Sequence, residues 1–594
     1  MKNFQSNRGF RLTPTDDTPF HPRLFGRRGA VAAEHYLAAS AGIDIMKQGG
    51  NAIDAAVAAV LVEGVVNPQM HTIGGELPIL IAVPGSTDIV CINGNMVAPE
   101  RATPEAFLSR GFSKIPGDGI FAAGVPGAMG ALLTALMRFG RLRFADVVAP
   151  ALDLAREGFP VHAGLLRQHM FGITANAARF RTEWPGTAAV YLPGGRIPEE
   201  GEIITNGKLA DMFDYLAGEE KRAGGGRETG IQAAFDGFYK GDVARAIVAY
   251  SDEKGGLLQR SDFERFEVPV ERPVSLSFEG VELYKCGPWT QGPAVLQTLS
   301  ILKNFDLRAL GHNSTAYVHT VVEAMKLAFA DREQFYADPR HVDVPIEGLL
   351  REAYGRARAA LIGERADAAL RPGNAWTGEA LLPASERLGG SSWGPGTVHV
   401  DAMDREGFTA AFTPSGAWIK SAEVMPALGF PLGARLSNCQ LEPARHPNIV
   451  APFKRPRTTI SPSIAVKDGK PWIAFGSMGG DQQDQWQLQF FLNRVVFAMP
   501  LQKAIEAPKF SSEHFPGFFH PHDFFLKRLR IEETVGAEVL EGLERLGHEI
   551  DPAPAFTEGF LCATERNPDT GVIEAGSDLR GTKADVFPSY ALAY

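Results

Sequence analysis

The sequence predicts a layered α/β sandwich, on three observations. Short apolar or alternating runs that read as strands occur in both halves of the chain, at residues 77–83, 89–92, 398–403, 409–413, 464–466 and 472–475. Long helical patterns lie between and around them, and no internal repeat is present. Strands scattered in this way must share sheets, and such sheets bury their faces under helices; neither a bundle nor a barrel fits.

Taken in order, the first thirty residues are polar and proline-punctuated and read as an extended arm. An alanine-rich helical pattern runs from Ala32 to Met46 and breaks at Gly49-Gly50. Asn51 has the side chain to cap a helix over residues 52–65, which is apolar nearly all round and is therefore expected to be buried. Gly74-Gly75 turns the chain into the strand at 77–83, with 89–92 as its partner. Residues 121–127 form a turn that feeds a helix from near Ala128, and a second helix over 144–158 is stopped by Gly158 and Pro160. A long helix within 313–331 precedes the Asp338-Pro339 turn. In the second half, the turn at 476–480 leads into a helix over 481–497, read as amphipathic. A compact β-α finish at 532–546 and 560–565 closes the chain.

Composition narrows the function classes. A net charge of −10 argues against a nucleic-acid footprint or an anionic membrane surface. The longest apolar run, residues 55–66, contains Glu63 and is too short to span a bilayer. The N-terminus lacks the apolar core of a signal peptide, so a cytoplasmic protein is expected. Cys91, Cys286, Cys439 and Cys562 lie far apart, with no CxxC and no Cys/His cluster at zinc spacing, so neither a disulfide framework nor a metal site is expected.

The junction Gly394-Pro395-Gly396-Thr397-Val398-His399-Val400-Asp401 stands out. A loose Pro/Gly/Ala-rich passage from about Arg365 ends there and a strand begins. Cleavage of the Gly396–Thr397 bond would leave Thr397 with a nucleophilic hydroxyl and a free α-amine to activate it. Gly396 has no side chain to shield its carbonyl from that hydroxyl, which makes an N-to-O acyl shift sterically easy.

Further motifs carry a family resemblance. They are Ala33-Glu34-His35, Gly49-Gly50-Asn51-Ala52-Ile53-Asp54-Ala55-Ala56, Gly124-Val125-Pro126-Gly127, Phe238-Tyr239-Lys240-Gly241, Asn304-Phe305-Asp306 and Ala330-Asp331-Arg332. Thr397-Val398-His399, Ser461-Pro462-Ser463, Gly476-Ser477-Met478-Gly479-Gly480 and Ser577-Asp578-Leu579-Arg580 complete the set. In that order, from Ala32 to Tyr594, the chain resembles the gamma-glutamyltranspeptidase family of N-terminal nucleophile hydrolases. The resemblance implies a precursor that cuts itself before Thr397. Its products are a large chain, 1–396, and a small chain, 397–594, forming one heterodimeric, four-layer αββα sandwich without a cofactor.

It also implies roles. Thr397 is the nucleophile of self-cleavage and turnover, with its α-amine, ordinarily of pKa about 7.7–8.0, as base. Gly479 and Gly480 match the oxyanion-hole glycines, whose N–H groups are backed by a helix N-terminus. Ser415 falls where the family has a second Thr bonded to the nucleophile, although Thr413 is a neighbour that could serve instead. Thr458 and Thr459 replace a Ser pair near the substrate. His399 matches a family His and is given no proton-transfer role.

The departures bear on substrate. The arginine that clamps the glutamyl carboxylate falls on Asn95, and an amide cannot replace a bidentate cationic fork. Ala417 replaces a substrate-holding Asn, and of the acidic pair that binds the substrate amine only Glu442 could stand in. The segment 443–457 is shorter than the typical lid loop, which implies a more open pocket. Trp418 and Trp289 read either as lining for a larger, more apolar acyl group or as core, and Lys420, Arg435, Arg455 and Arg457 read as solvated surface charges in preference to alternative anion clamps. The expected function is a self-processing amide hydrolase or acyltransferase acting on γ-glutamyl or related carboxy-acyl amides. An acylase with a non-glutamyl substrate is the chemical alternative. An inactive binding scaffold would fit the lost substrate residues but has no need of Gly396-Thr397, Gly479-Gly480 or Ser415.

Overall fold

The computed structural model describes residues 19–86, 88–375, 396–519, 522–580 and 589–594. Residues 1–18 of the N-terminal arm, and Gly394 and Pro395 of the junction, lie outside the described residues.

Two seven-stranded sheets form the middle of the molecule, and every strand pair in them is antiparallel. The first runs, edge to edge, Leu24–Gly26, Ile573–Ser577, Leu561–Arg566, Lys470–Ser477, Ser463–Lys467, Val281–Lys285 and Val274–Phe278. The second runs Tyr590–Ala593, Gly29–Ala33, Val400–Asp404, Thr409–Phe412, Leu77–Ala82, Ile89–Gly94 and Val270–Glu271. Each sheet mixes strands from before and after Thr397, so a cut there would leave both sheets held by hydrogen bonds across the two chains.

Small residues set the spacing between the sheets. Ala30, Ala32, Ala411, Ala474, Cys562 and Ala575 pack with Leu80, Met403 and Ile464 in the inter-sheet layer. This corrects the helical reading of the alanine run: Gly29–Ala33 is a fully buried strand, and the helix starts only at Tyr36. Alanine suits helices, but here its small volume lets two sheets approach closely, and that tertiary demand wins over propensity.

Helices cover both outer faces. Tyr36–Lys47, Ala52–Val66 and Ala128–Phe139 pack on the second sheet, and Pro293–Leu302, Thr315–Phe335 and Gln483–Val495 on the first. All fifteen residues of Ala52–Val66 are buried, as its all-round apolarity requires. Asn51 Oδ1 accepts from Ile53 N at 2.9 Å and Asp54 N at 3.1 Å, while Asp54 Oδ2 accepts from Asn51 N at 2.8 Å, a reciprocal cap. The layers are thus α, β, β, α. Among the described residues no helix is long and apolar enough to cross a membrane.

Candidate active site

Thr397 lies just before the strand Val400–Asp404, whose pairing with Thr409–Phe412 sets Val400 opposite Phe412. The same register continued back places Thr397 opposite Ser415, where the two form a bridge. Side chains alternate along a strand, so Thr397, His399 and Asp401 share the face towards the other sheet. Thr397 is 1% exposed and Ser415 fully buried.

Hydroxyl directions follow from the partners of Ser415. Its Oγ donates to the Gly396 carbonyl at 3.0 Å and accepts from Arg435 Nη2 at 2.6 Å. A hydroxyl has one proton, so the 3.0 Å contact with Thr397 Oγ1 must be a bond that Thr397 donates. The Thr397 proton therefore already points at an acceptor, and the Gly396 carbonyl already receives a donor. Trp418 Nε1 is a second donor to Gly396 O, at 2.6 Å. Glu76 pairs with Arg435 Nε, and a Cβ at residue 396 would lie 2.7 Å from both Gln69 O and Met70 Cα, so glycine is sterically required there.

Thr413, the alternative partner for the nucleophile, is committed elsewhere. Its Oγ1 meets His399 Nδ1 at 2.8 Å, and His399 Nε2 lies 2.8 Å from Asp401 Oδ1. The His399 ring occupies the space that a side chain at Gly476 would need. His399 packs within the strand and binds Thr413 and Asp401, while burial pushes the Asp401 carboxyl up to about 6.

Two more acids lie buried behind this strand. Burial pushes Glu63 up to about 8 and Glu34 well above the usual carboxylate range, with each other's proximity adding to the rise in Glu34. Glu63 stays protonated in the folded chain while the unfolded chain ionises from about pH 4.5, so stability is present at low pH and is lost as pH rises towards 8. Each pH unit in that window costs about 1.4 kcal/mol per group. Glu63→Gln is expected to match the parent at pH 5 and to exceed it by about 2–4 kcal/mol at pH 8 in urea unfolding, following the same linkage. A difference independent of pH would contradict this.

The glycine turn follows the strand Lys470–Ser477. Gly479 and Gly480 both have positive φ, +116° and +59°. The turn is anchored from beneath, where Gln291 Nε2 donates to Gly480 O at 3.0 Å and buried Arg332 donates to both Gln291 Oε1 and Asp481 Oδ1 at 2.6 Å. Gly480 N points at the Gln483 side-chain oxygen, 3.2 Å away when that amide is oriented to satisfy both its ends. Met478 packs with Val398, Met70 and Trp486, which places the turn beside the Thr397 strand.

A buried threonine hydroxyl bonded to a second hydroxyl, beside an upstream carbonyl held by two donors, is an arrangement suited to self-cleavage. The model of the gamma-glutamyltranspeptidase family matches residues 38–587. The chain belongs to the gamma-glutamyltranspeptidase family. It is 33% identical over 580 residues to the acylase ACY 1 proenzyme of Pseudomonas sp. (strain V22), covering 96% of this chain and 95% of that one. It is 30% identical over 571 residues to the glutathione hydrolase-like YwrD proenzyme of Bacillus subtilis (strain 168), covering 95% and 99%. The fold matches the crystal structure of cephalosporin acylase from Bacillus halodurans with a TM-score of 0.84 at 28% identity, over 100% of this chain and 99% of that chain. This gamma-glutamyltranspeptidase-family chain is accordingly an amide-hydrolysing enzyme of the self-processing kind, built as an αββα sandwich.

The residues at the family's substrate positions are placed as follows. Asn95 is fully buried and its Nδ2 donates to Pro456 O at 2.5 Å, so the amide braces a loop. Ala417 is buried at φ +51°, its carbonyl accepting from Thr72 Oγ1 at 2.7 Å. Thr458 Oγ1 reaches Glu76 Oε1 at 3.4 Å and is thus linked to Thr397 through Arg435 and Ser415, whereas Thr459 Oγ1 is buried without a hydrogen-bond partner among the described residues. Glu442 is exposed, on the rim of a cleft of about 410 Å³ that Glu333, Arg445, His446 and His522 also line.

The arginines correct the reading as surface charges. Arg435, Arg455 and Arg457 are 1–3% exposed. Arg455 donates to Asn95 O and Glu267 O, and Arg457 to Glu333 and Arg332 O. Only Lys420 keeps part of its side chain in solvent, its Nζ 4.4 Å from the Phe171 ring centroid. Trp289 is core, its Nε1 donating to Glu271 at 2.5 Å. Glu76 went unrecognised in the sequence, and Arg435 and Trp418 were open only to readings as an anion clamp and as pocket lining, because no local pattern reveals partners so distant along the chain. Among the described residues one cluster has metal-ligand composition, His319, Glu323 and His548, with ligand atoms within 4.8 Å of one another. The two imidazoles bond to each other at 2.9 Å, Lys326 donates to Glu323 at 2.6 Å, and His548 Nδ1 is buried without a hydrogen-bond partner among the described residues.

Proposed function

We propose that the precursor cuts itself between Gly396 and Thr397, and that Thr397, now N-terminal, hydrolyses carboxy-acyl amides through an acyl-enzyme. The observation that carries this is the Thr397–Ser415–Gly396 constellation, with its proton directions fixed by Arg435. Thr397 Oγ attacks the substrate carbonyl while the freed α-amine takes its proton. The N–H of Gly479, which has no hydrogen-bond partner among the described residues, receives the oxyanion, and the Gly480 N–H joins it by giving up its bond to the Gln483 side chain. Water or an amine then resolves the ester. Chains 1–396 and 397–594 remain one heterodimer. A cytoplasmic setting belongs to this reading and is supported by four free, buried cysteines.

The substrate reading is an acylase with a non-glutamyl acyl group. Asn95 Nδ2 is engaged by Pro456 O while its Oδ1 is an acceptor with no partner among the described residues, and the cation linked to Thr397 through Ser415 is Arg435, whose buried Nη1 has no hydrogen-bond partner among those residues. A carboxylate on the acyl chain suits Nη1, since Nε is engaged by Glu76 and Nη2 by Ser415. The test is a panel of chromogenic anilides on the cleaved enzyme. Succinyl and glutaryl anilides are expected to exceed γ-glutamyl anilide in kcat/KM by about tenfold or more, each lost polar contact being worth roughly 1–3 kcal/mol. A preference for the γ-glutamyl compound would refute the reading of Asn95.

A further inference from the structure

Self-cleavage and turnover present different carbonyls to one nucleophile, and the uncut chain shows which donors hold the first. The Gly396 carbonyl oxygen receives Trp418 Nε1–H at 2.6 Å and Ser415 Oγ–H at 3.0 Å. Neither glycine of the 479–480 turn bonds to it. Trp418 is 6% exposed, and its ring is fixed by an edge contact with Phe171, centroids 5.6 Å apart, and by the Arg435 guanidinium 5.0 Å from its centre. The indole N–H is therefore aimed before any reaction begins, as a preorganised donor must be.

We propose that Trp418 is a catalytic residue of self-cleavage, and that its indole N–H forms, with Ser415, an oxyanion hole separate from the one used in turnover. This rests on the reading of Thr397 as nucleophile. In the step, Thr397 Oγ bonds to the Gly396 carbonyl carbon and the carbonyl π pair moves onto oxygen, where Trp418 Nε1–H and Ser415 Oγ–H hold it. The Thr397 proton passes to Ser415 Oγ as Ser415 gives its own to the developing oxyanion. Collapse breaks the C–N bond, the proton returns through Ser415 to the leaving nitrogen, and an ester with a free α-amine remains. Water then adds hydroxyl to the Gly396 carbon and a proton to Thr397 Oγ, completing hydrolysis of the peptide bond.

The same geometry explains how the indole is released from duty. Trp418 Nε1 also lies 3.0 Å from Met70 O. While Gly396 is attached, the shorter contact holds the proton. Once the Gly396 carboxylate leaves, the N–H falls back on Met70 O and is not left as a buried, unpaired donor, an arrangement that would be costly. A donor with a resting partner within reach can serve a single-use reaction without burdening the mature enzyme.

The test compares precursor conversion with turnover of cleaved enzyme. Trp418→Phe keeps a ring and loses the N–H. Conversion of freshly translated, radiolabelled full chain into two chains on denaturing gels is expected to slow by about 10²-fold, as removal of one oxyanion donor does. The fold-loss in kcat/KM per cleaved molecule is expected to be at least tenfold smaller. Conversion at the parent rate would overturn the proposal while leaving Thr397 as nucleophile, and equal losses in both readings would show one shared hole and overturn it too. If Trp418→Phe melts early, replacing Trp418 with benzothienylalanine, where sulfur takes the place of N–H, gives the same readouts in an isosteric ring. Cleavage surviving in Thr397→Ala would instead sink the nucleophile reading itself.

Discussion

Thr397→Ala is expected to leave a single uncut chain of 64.1 kDa on a denaturing gel, unchanged by long incubation, and to abolish amide turnover. Both losses have one cause. In the proposed mechanism the Oγ whose proton points at Ser415 attacks in each reaction, and among the described residues no other hydroxyl bonds to Ser415 Oγ. Removing the nucleophile of a hydrolase costs on the order of 10⁶ in rate, the residue being binding and oxyanion stabilisation alone. Thr397→Ser separates chemistry from packing. It keeps the hydroxyl and loses one methyl, so splitting and turnover should return at reduced rates. A Thr397→Ala chain that still divides would show that another group, or a contaminating protease, makes the cut.

How far the sequence was readable depends on how local each signal was. The helix Ala52–Val66 was legible because its apolarity and its Asn51 cap are carried by its own residues. The helix Gln483–Val495 was read as amphipathic, yet residues 483–493 are all buried. Its glutamines look like a solvent face, but Gln485 binds the Ser512 backbone, Gln487 binds Ser461 O and Lys285, and Gln489 binds the Phe510 backbone. Polarity in a sequence shows the need for a partner without showing whether that partner is water or protein. The same ambiguity misplaced the arginines at 435, 455 and 457. The helices between residues 163 and 264 went unread, although Gly207–Ala223 and Asp242–Glu253 bury an apolar stripe at helical spacing.

The candidate site rests on a different kind of signal. Thr397, Ser415 and the Gly479-Gly480 turn are fixed by register and turn chemistry, which short motifs preserve. Strand pairing turned the choice between Ser415 and Thr413 into geometry, since Thr397 and His399 sit opposite them in one ladder. What the motifs could not supply is the third dimension. Glu76 comes from the segment just before the strand Leu77–Ala82, Arg435 from a short turn and Trp418 from a loop, and only the fold brings them to one carbonyl.

Gly479→Ala is the other change with a large expected effect, and it acts on turnover. At φ +116° an L-residue is strained, and a Cβ there would lie 2.4 Å from Trp486 Cζ3, so both the backbone and a buried ring must shift. The turn carries the donors assigned to the substrate oxyanion, and displacing one such donor costs about 10²–10³ in rate. The expected result is a loss of that size in kcat/KM for cleaved enzyme, with substrate KM changing less than kcat because the donor acts on charge that develops in the transition state. Precursor conversion should fall far less, since the Gly396 carbonyl is bonded to Trp418 and Ser415, not to this turn. Melting temperature and conversion rate, measured on the same preparation, separate lost chemistry from lost packing. If turnover stayed within threefold of the parent, the oxyanion role of Gly479 would be wrong. If conversion and turnover fell together, the turn would serve both carbonyls, and the two-hole arrangement around Thr397 would fail with it.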